Sequence, residues 1–268
     1  MIVELLEYLT TECPADIRRL GYLKEAIAIK ARHRRRCIAW GPHLARSRAL
    51  VADAARDCAR HRTVLILGSG LLLDIPLAAL AQMFERVVLV DVVHLGQARR
   101  AAARHTNAAL IAADVTGMVD GFQDRIRGGW RGTPVPRPSL FRDDATIDLV
   151  VSANLLAQLP IMPAAALRRL GADESAVRDF GRATVEAHLA YLAGVQGKVC
   201  LITEASRETV DRDGGILRID DALHGVRLPP EDAFWNWEIA PPGEIGRRFG
   251  IRNRIVGFAN FRAARTAV

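Results

Sequence analysis

Lysine is almost missing from this chain. Only Lys24, Lys30 and Lys198 occur, so arginine carries the formal net charge of +7. The arginines are mostly dispersed, which fits a compositional bias better than a surface built for nucleic acid. Cysteine is also scarce. Cys13, Cys37, Cys58 and Cys200 form no CxxC pair and no zinc spacing, which excludes a disulfide framework or metal finger and predicts reduced thiols. No apolar run reaches the roughly 18 residues of a membrane span. Glu4 and Glu7 stand where a signal peptide would be basic and then apolar. The expectation is a cytoplasmic protein with no membrane partner. Internal repeats are absent, and low complexity is limited to short alanine runs.

The richest stretch is residues 63–91, TVLILGSGLLLDIPLAALAQMFERVVLVD. Residues 64–67 are an apolar run suited to a buried strand. Gly68-Ser69-Gly70 then permits a tight turn with backbone close to a ligand. Apolar spacing from 71 to 84 predicts a helix, and residues 87–90 predict a second strand that ends on Asp91. Such a βαβ unit brings its glycine loop against a nucleotide-like ligand, and the acid ending the second strand receives ribose hydroxyls. Asp91 follows Gly68 by 23 residues, near the roughly 20 this arrangement uses.

Residues 1–60 show helical patterns and no strand, and predict a cap of about three helices. Gly41-Pro42 is expected to break the pattern between segments 22–37 and 43–60. The cluster Arg32-His33-Arg34-Arg35-Arg36 would then close a helix and complement its dipole, or contact phosphate or RNA. Trp40, His43, Arg46 and Arg48, near the break, are equally suited to a substrate entrance or to packing. Further strands are expected at 108–114, ending on Asp114, at 146–152 and at 198–203, followed by Glu204. Helices are expected at 94–105 and from Asp173 or Ser175 to Leu192. The Gly- and Pro-rich residues 117–142 read as an excursion, and 206–232 as polar and turn-rich. Residues 234–239 and 255–261 alternate as an antiparallel pair does. The expected fold is α/β: a Rossmann-like, mostly parallel seven-stranded sheet with a C-terminal antiparallel hairpin (residues 61–268), plus the N-terminal helical cap (1–60).

This order of elements, with LILGSG, VVLVD, AAD and DLVVSANLL as its signposts, resembles the class I S-adenosylmethionine-dependent methyltransferases over roughly residues 60–261. The resemblance implies S-adenosylmethionine as cofactor, with Gly68, Ser69 and Gly70 at its methionine part. It places the ribose on Asp91 beside Val92, and the adenine on Asp114 and Val115. Asn154, at the end of the fourth strand, would border cofactor and acceptor. Two positions depart from the family pattern: Ile66 replaces the usual acid before the first glycine, and Leu72 replaces the third glycine. The implied function is methyl transfer to a small-molecule acceptor. An RNA methyltransferase using residues 30–36 and a catalytically silent binding protein remain as alternatives, and a nicotinamide-dependent oxidoreductase ranks last, since no Tyr-x-x-x-Lys pair occurs.

Methyl transfer requires alignment and exclusion of water more than a fixed triad, and a base only where the acceptor must shed a proton early. His94 and His188 are candidate bases that suit ordinary core roles as well. Glu204 sits at the carboxyl edge of a strand, where open α/β sheets bind ligands, and is a candidate for substrate contact. Asn154 shares that edge and both donates and accepts; no Pro-Pro-aromatic follows it, so the signature of adenine or cytosine amino-group methylation is missing. Trp235 and Trp237 share a strand face and suit a planar substrate, a packed core or a contact between copies in a homo-oligomer. Asp211, Asp213, Asp220 and Asp221 are interleaved with arginines, and no metal site is assigned to them.

Overall fold

Every residue of strand β1 (Thr63–Leu67) is buried, because it lies at the middle of a sheet covered on both faces. In the computed structural model, which describes residues 2–119, 122, 133–244, 246 and 248–266, β1 pairs in parallel with β2 (Arg86–Asp91) and β4 (Ile147–Ala153). Parallel pairing continues outward to β3 (Ala108–Ala112) on one side and β5 (Lys198–Asp211) on the other. Two antiparallel strands, β8 (Phe249–Phe258) and β7 (Ala233–Ala240), complete the order β3-β2-β1-β4-β5-β8-β7. The register pairs Leu67 with Val90 and with Ser152, so the loops after β1, β2 and β4 leave the sheet along one edge.

Alternate residues feed the two faces, as the period of a strand requires. Ile66, Leu89, Val151 and Ile202 face one cluster with Trp40, Leu44, Val51 and Trp235. Leu65, Val88, Val150 and Leu201 face the other, with Val185, Leu189 and Leu192 of a long helix, Glu174–Gly194. That helix is capped by Asp173, which accepts from Ala176 N at 2.9 Å. Further helices are α1 (Ile2–Thr10), α2 (Ala15–Leu20), α3 (Tyr22–Arg56), α4 (Leu77–Met83), α5 (Gly96–Ala102), α6 (Ile161–Arg169) and, after the helix at Glu174–Gly194 (α7), α8 (Phe261–Thr266).

Four expectations need correction. The glycine turn does not run straight into a helix: residues 71–76 are loop and α4 starts only at Leu77. Pro76 explains the delay, since the residue before a proline is pushed out of helical geometry. Gly41-Pro42 does not end a helix either. α3 runs through it, and its departure from helical angles lies upstream at Arg36 (φ −125°, ψ 24°). Pro42 removes one hydrogen bond, while burial of Trp40, His43, Leu44, Ser47 and Val51 along one face holds the helix together. The break at Arg36 leaves the arginine cluster at the end of the first helical segment, as expected, and only the position of the break differs. Residues 206–232 contain an eighth strand, β6 (Ile216–Asp221), paired antiparallel with the extended end of β5; its Ile216, Leu217 and Ile219 are exposed, so no half-buried alternation marks it. Finally, Phe261 begins α8 instead of ending a strand. Residues 120, 121 and 123–132 of the Gly- and Pro-rich excursion lie outside the described residues, and residues 133–139 form neither helix nor strand.

Lys30 reaches Glu7 at 2.7 Å, tying α1 to α3. Arg35 and Arg36 both grip Glu244 in the turn between β7 and β8, at 2.6 and 2.7 Å. Three cations of the 30–36 segment are thus occupied within the molecule. Among the described residues no helix is long and apolar enough to cross a membrane.

Candidate functional site

At the carboxyl edge of the sheet, under the first half of α3, lies a cavity of about 290 Å³. Its walls include Gly68, Ser69, Gly70, Asp91, Val92, Asp114, Val115, Asn154 and Glu204. The position is the one where open α/β sheets receive ligands, beside the strand at which the order reverses.

The loop after β1 is fixed from three sides. Ser69 N donates to Val90 O (3.0 Å), and Gly70 N to Asp91 Oδ2 (2.7 Å). Gln97 Nε2 donates to Leu71 O at 3.2 Å, and Arg48 Nη1 to Leu73 O at 2.5 Å. Gly68 and Gly70 both take left-handed backbone, φ 67° and 51°. Leu72 has φ 59°, so the position where glycine is usual keeps the glycine conformation at some cost in strain. Ile66 is wholly buried within the sheet and does not reach the cavity. Ser69 Oγ is buried without a partner.

The two acids at this end differ. Burial pushes the Asp91 carboxyl above the usual range, opposed by the Gly70 amide and by His94. Asp114 is spent on its own loop: Oδ1 accepts from Thr116 N (2.8 Å) and Thr116 Oγ1 (2.6 Å), Oδ2 from Met118 N (2.8 Å) and Val119 N (2.9 Å). These fill the four acceptor positions of a carboxylate. Tyr22 closes this end, its phenol driven up by burial and by the neighbouring Asp114 and Asp91.

The other end holds a polar chain that the sequence did not announce. Asn154 leaves β4 with φ 52°, a conformation that asparagine tolerates better than most residues. Its Nδ2 stands 2.6 Å from Asp74 Oδ2 and 3.2 Å from His43 Nε2, while Oδ1 is buried without a partner. Trp235 Nε1 lies 3.0 Å from His43 Nδ1. An indole N–H only donates, so His43 Nδ1 must accept and the neutral ring carries its proton on Nε2. Two donors would then face each other across 3.2 Å. Turning the Asn154 amide over resolves this, because oxygen and nitrogen exchange places without any change of shape. Oδ1 then accepts from His43 Nε2, and the 2.6 Å contact to Asp74 becomes an O–H···O bond that Asp74 donates. A protonated Asp74 agrees with its burial, which pushes its carboxyl upward against the influence of Arg48. Burial likewise pushes His43 down to about 3, so it stays neutral.

Around this chain His43 stacks on Trp237 (4.1 Å, 7°), and Trp40 meets Trp237 edge-on at 4.9 Å. Glu204 is 3% exposed and lines the same end. Burial raises its carboxyl, with Arg207 and the amides of Asn253 and Gln158 opposing.

The two candidate histidines do not line this cavity. His94 Nε2 donates to Ile111 O at 3.1 Å between β2 and β3. His188 Nε2 is 3.0 Å from Ser152 Oγ in the core below β4, and burial pushes its ring down to about 4. His43, left open as packing or entrance, is the cavity histidine; its signal is its place on the face Trp40, His43, Leu44, Ser47 of α3. Trp235 is buried behind the wall and Trp237 forms part of it. Asp211 closes the β5–β6 turn by accepting from Asp213 N (2.9 Å) and Gly215 N (2.7 Å).

No family model and no curated protein matches this sequence. Among solved structures, the N-methyltransferase NodS from Bradyrhizobium japonicum WM9, in complex with S-adenosylhomocysteine, is 12% identical with a TM-score of 0.37, over 80% of this chain and 86% of that one. A DhpI–SAH complex is 16% identical, TM-score 0.36, over 86% and 93%. A putative methyltransferase in complex with the Trm112 activator of Haloferax volcanii is 15% identical, TM-score 0.37, over 88% and 95%. Likeness at this level does not identify an activity. The fold rests on the chain's own topology, which is the Rossmann-like, methyltransferase-type arrangement: five parallel strands followed by the antiparallel β7–β8 pair.

Proposed function

We propose that this protein is an S-adenosylmethionine-dependent methyltransferase acting on a small-molecule acceptor enclosed beneath its N-terminal helices. The observation that carries the reading is the convergence in one cavity of the Gly68–Gly70 loop, Asp91 and Val92 at the end of β2, Val115 after β3 and Asn154 after β4. The residues fit the cofactor. A side chain at Gly70 would meet nothing nearer than 3.8 Å, so the loop faces open space. Ser69 Oγ is a buried polar atom awaiting a partner, and the amide group of Asn154, once turned, offers two donors.

In this reading the Gly68–Gly70 backbone and Ser69 hold the methionine part. Asp91 uses its remaining acceptor positions for ribose hydroxyls. Because Asp114 is saturated, the adenine rests on Val115 and Tyr22, and Asp114 acts by shaping that loop. S-adenosylmethionine, when bound, supplies a methyl group activated by a sulfonium. The chain's own task is to align the acceptor and exclude water, which the cap and the tryptophans provide. A volume of 290 Å³ lies at the lower end of small-molecule sites, roughly 300–1,000 Å³, so the cap must open for cofactor and acceptor to enter together.

Besides the protonated Asp74, four acids, Glu25, Asp91, Asp114 and Glu204, line this cavity in a chain of net charge +7, against the arginines Arg32 and Arg207. Such a wall suits a sulfonium and opposes a phosphate backbone. With Lys30, Arg35 and Arg36 also occupied, the RNA reading loses its main support.

Calorimetric titration with S-adenosylmethionine, S-adenosylhomocysteine and NAD tests the proposal. Micromolar binding of the first two without NAD is expected, and Asp91→Ala should weaken it by roughly 1.5–3 kcal/mol. If neither sulfur compound binds the folded protein, the methyltransferase reading fails and a silent binding protein takes its place.

A further inference from the structure

The cavity has two chemically distinct ends. Glycine loop, β2 and β3 build one; α3, β5 and β7 build the other, on the far side of β4. At this second end His43, Trp237 and Trp40 form an aromatic wall. Trp237 Nε1 is buried there without an acceptor. His43 cannot take up a proton, because Trp235 occupies Nδ1 and Asn154 receives the proton of Nε2. Asp74 is bound to Asn154. Glu204 is different: it is almost wholly buried, lines the cavity and meets only the neutral amides of Asn253 and Gln158, with no ion-pair partner among the described residues. Arg207, the nearest opposing charge, is exposed to solvent. A carboxylate so placed is costly until a cation or strong donor meets it, and aromatic faces attract the same cations.

We propose that this end is an acceptor subsite for a nitrogen compound, an amine or N–H heterocycle, that lies against the His43–Trp237 wall and donates its N–H to Glu204. The inference rests on the methyltransferase reading for the word acceptor, while the recognition itself follows from the wall. An ammonium nitrogen entering the subsite transfers its proton to a Glu204 oxygen, and the N–H electron pair stays on nitrogen as the lone pair a nucleophile needs. Burial of Glu204, by raising its affinity for a proton, favours that transfer. Anionic acceptors are repelled by the same carboxylate, and an alcohol gains neither the charge nor the cation–π attraction.

The test is calorimetry on the full-length protein saturated with S-adenosylhomocysteine. The probes are phenethylamine, phenethyl alcohol and phenylacetate, together with a size series from methylamine to tryptamine. An amine of the series should bind at least tenfold more tightly than its alcohol, with the carboxylate not binding. Glu204→Gln should lower amine affinity tenfold or more while changing S-adenosylhomocysteine affinity less than twofold, and Glu204→Asp should retain most of the amine binding. Equal or better binding of alcohol or carboxylate overturns the proposal, as does an amine affinity unmoved in folded Glu204→Gln, or no amine binding at all. The probe comparison in the wild-type protein decides the matter even if a variant does not fold. Failure of S-adenosylhomocysteine to bind counts instead against the methyltransferase reading, and the amine titration of the free protein then judges the subsite alone.

Discussion

Two neighbouring glycines separate what the loop does for the fold from what it does for a ligand. Gly70→Ala places a methyl group in a left-handed backbone at φ 51°, with no atom closer than 3.8 Å. The cost to the fold is the conformational one alone, about 1–2 kcal/mol, or roughly 2–8 °C in melting temperature for a chain of this size. Gly68→Ala carries the same backbone cost at φ 67°, and its methyl meets Leu155 Cδ1 at 2.7 Å and Cδ2 at 3.1 Å. Leu155 must leave its rotamer, which adds about 0.5–1.5 kcal/mol. Stability should therefore rank wild type, Gly70→Ala, Gly68→Ala. Ligand binding should not follow that rank. The Gly70 methyl projects into space that the cofactor would occupy, so Gly70→Ala should weaken S-adenosylhomocysteine at least tenfold, about 1.4 kcal/mol, with the fold intact. Thermal denaturation and calorimetry on the three proteins give both rankings. Wild-type affinity in Gly70→Ala would refute the placement of a ligand against this loop.

Three further outcomes follow from the geometry. Glu244→Gln releases Arg35 and Arg36 from the β7–β8 turn; these arginines are partly exposed, so the expected loss is about 1 kcal/mol, with faster amide exchange in the first half of α3 as the local signature, and unchanged exchange there would remove the clamp from the account. His188 is held down to about 4 by burial, against about 6.5 in the unfolded chain. Its depressed value means that the unfolded state binds the extra proton, so its contribution is complete above pH 6.5 and is lost as the pH falls toward 4. The stability difference between wild type and His188→Gln should hence be flat above pH 6.5 and shrink by on the order of 3 kcal/mol below it; a difference independent of pH would show that the ring is not buried neutral. Nitrogen chemical shifts of His43 should report the proton on Nε2. Trp235→Phe should cost about 1–3 kcal/mol by leaving Nδ1 buried and unpaired, and a proton found on Nδ1 in the wild type would undo the assignment of a neutral Asp74.

The five parallel strands, and the sheet edge along which the cavity opens, were legible in the sequence alone. Buried strands write themselves as unbroken apolar runs, and Gly68, Asp91, Asp114 and Asn154 follow directly on those runs; Glu204 also follows its run, although β5 continues through it to Asp211. Local chemistry also marked the N-cap of α7. Where tertiary packing overrode local preference, the reading from sequence alone went astray. Pro42 is a helix breaker in isolation, yet one buried face of α3 outweighs a single lost hydrogen bond. The exposed β6 carries no alternation because neither face is covered. The chemistry of the cavity was decided only by the fold. Asp74 and Asn154 are 80 residues apart, and His43 and Trp235 are 192 apart; no spacing rule links them. Burial, a property of the whole structure, is what keeps His43 neutral, raises Asp74 and Glu204, and withdraws His188 into the core. A carboxylate or an imidazole can be located from sequence, but its proton is placed by neighbours that only the folded chain brings together.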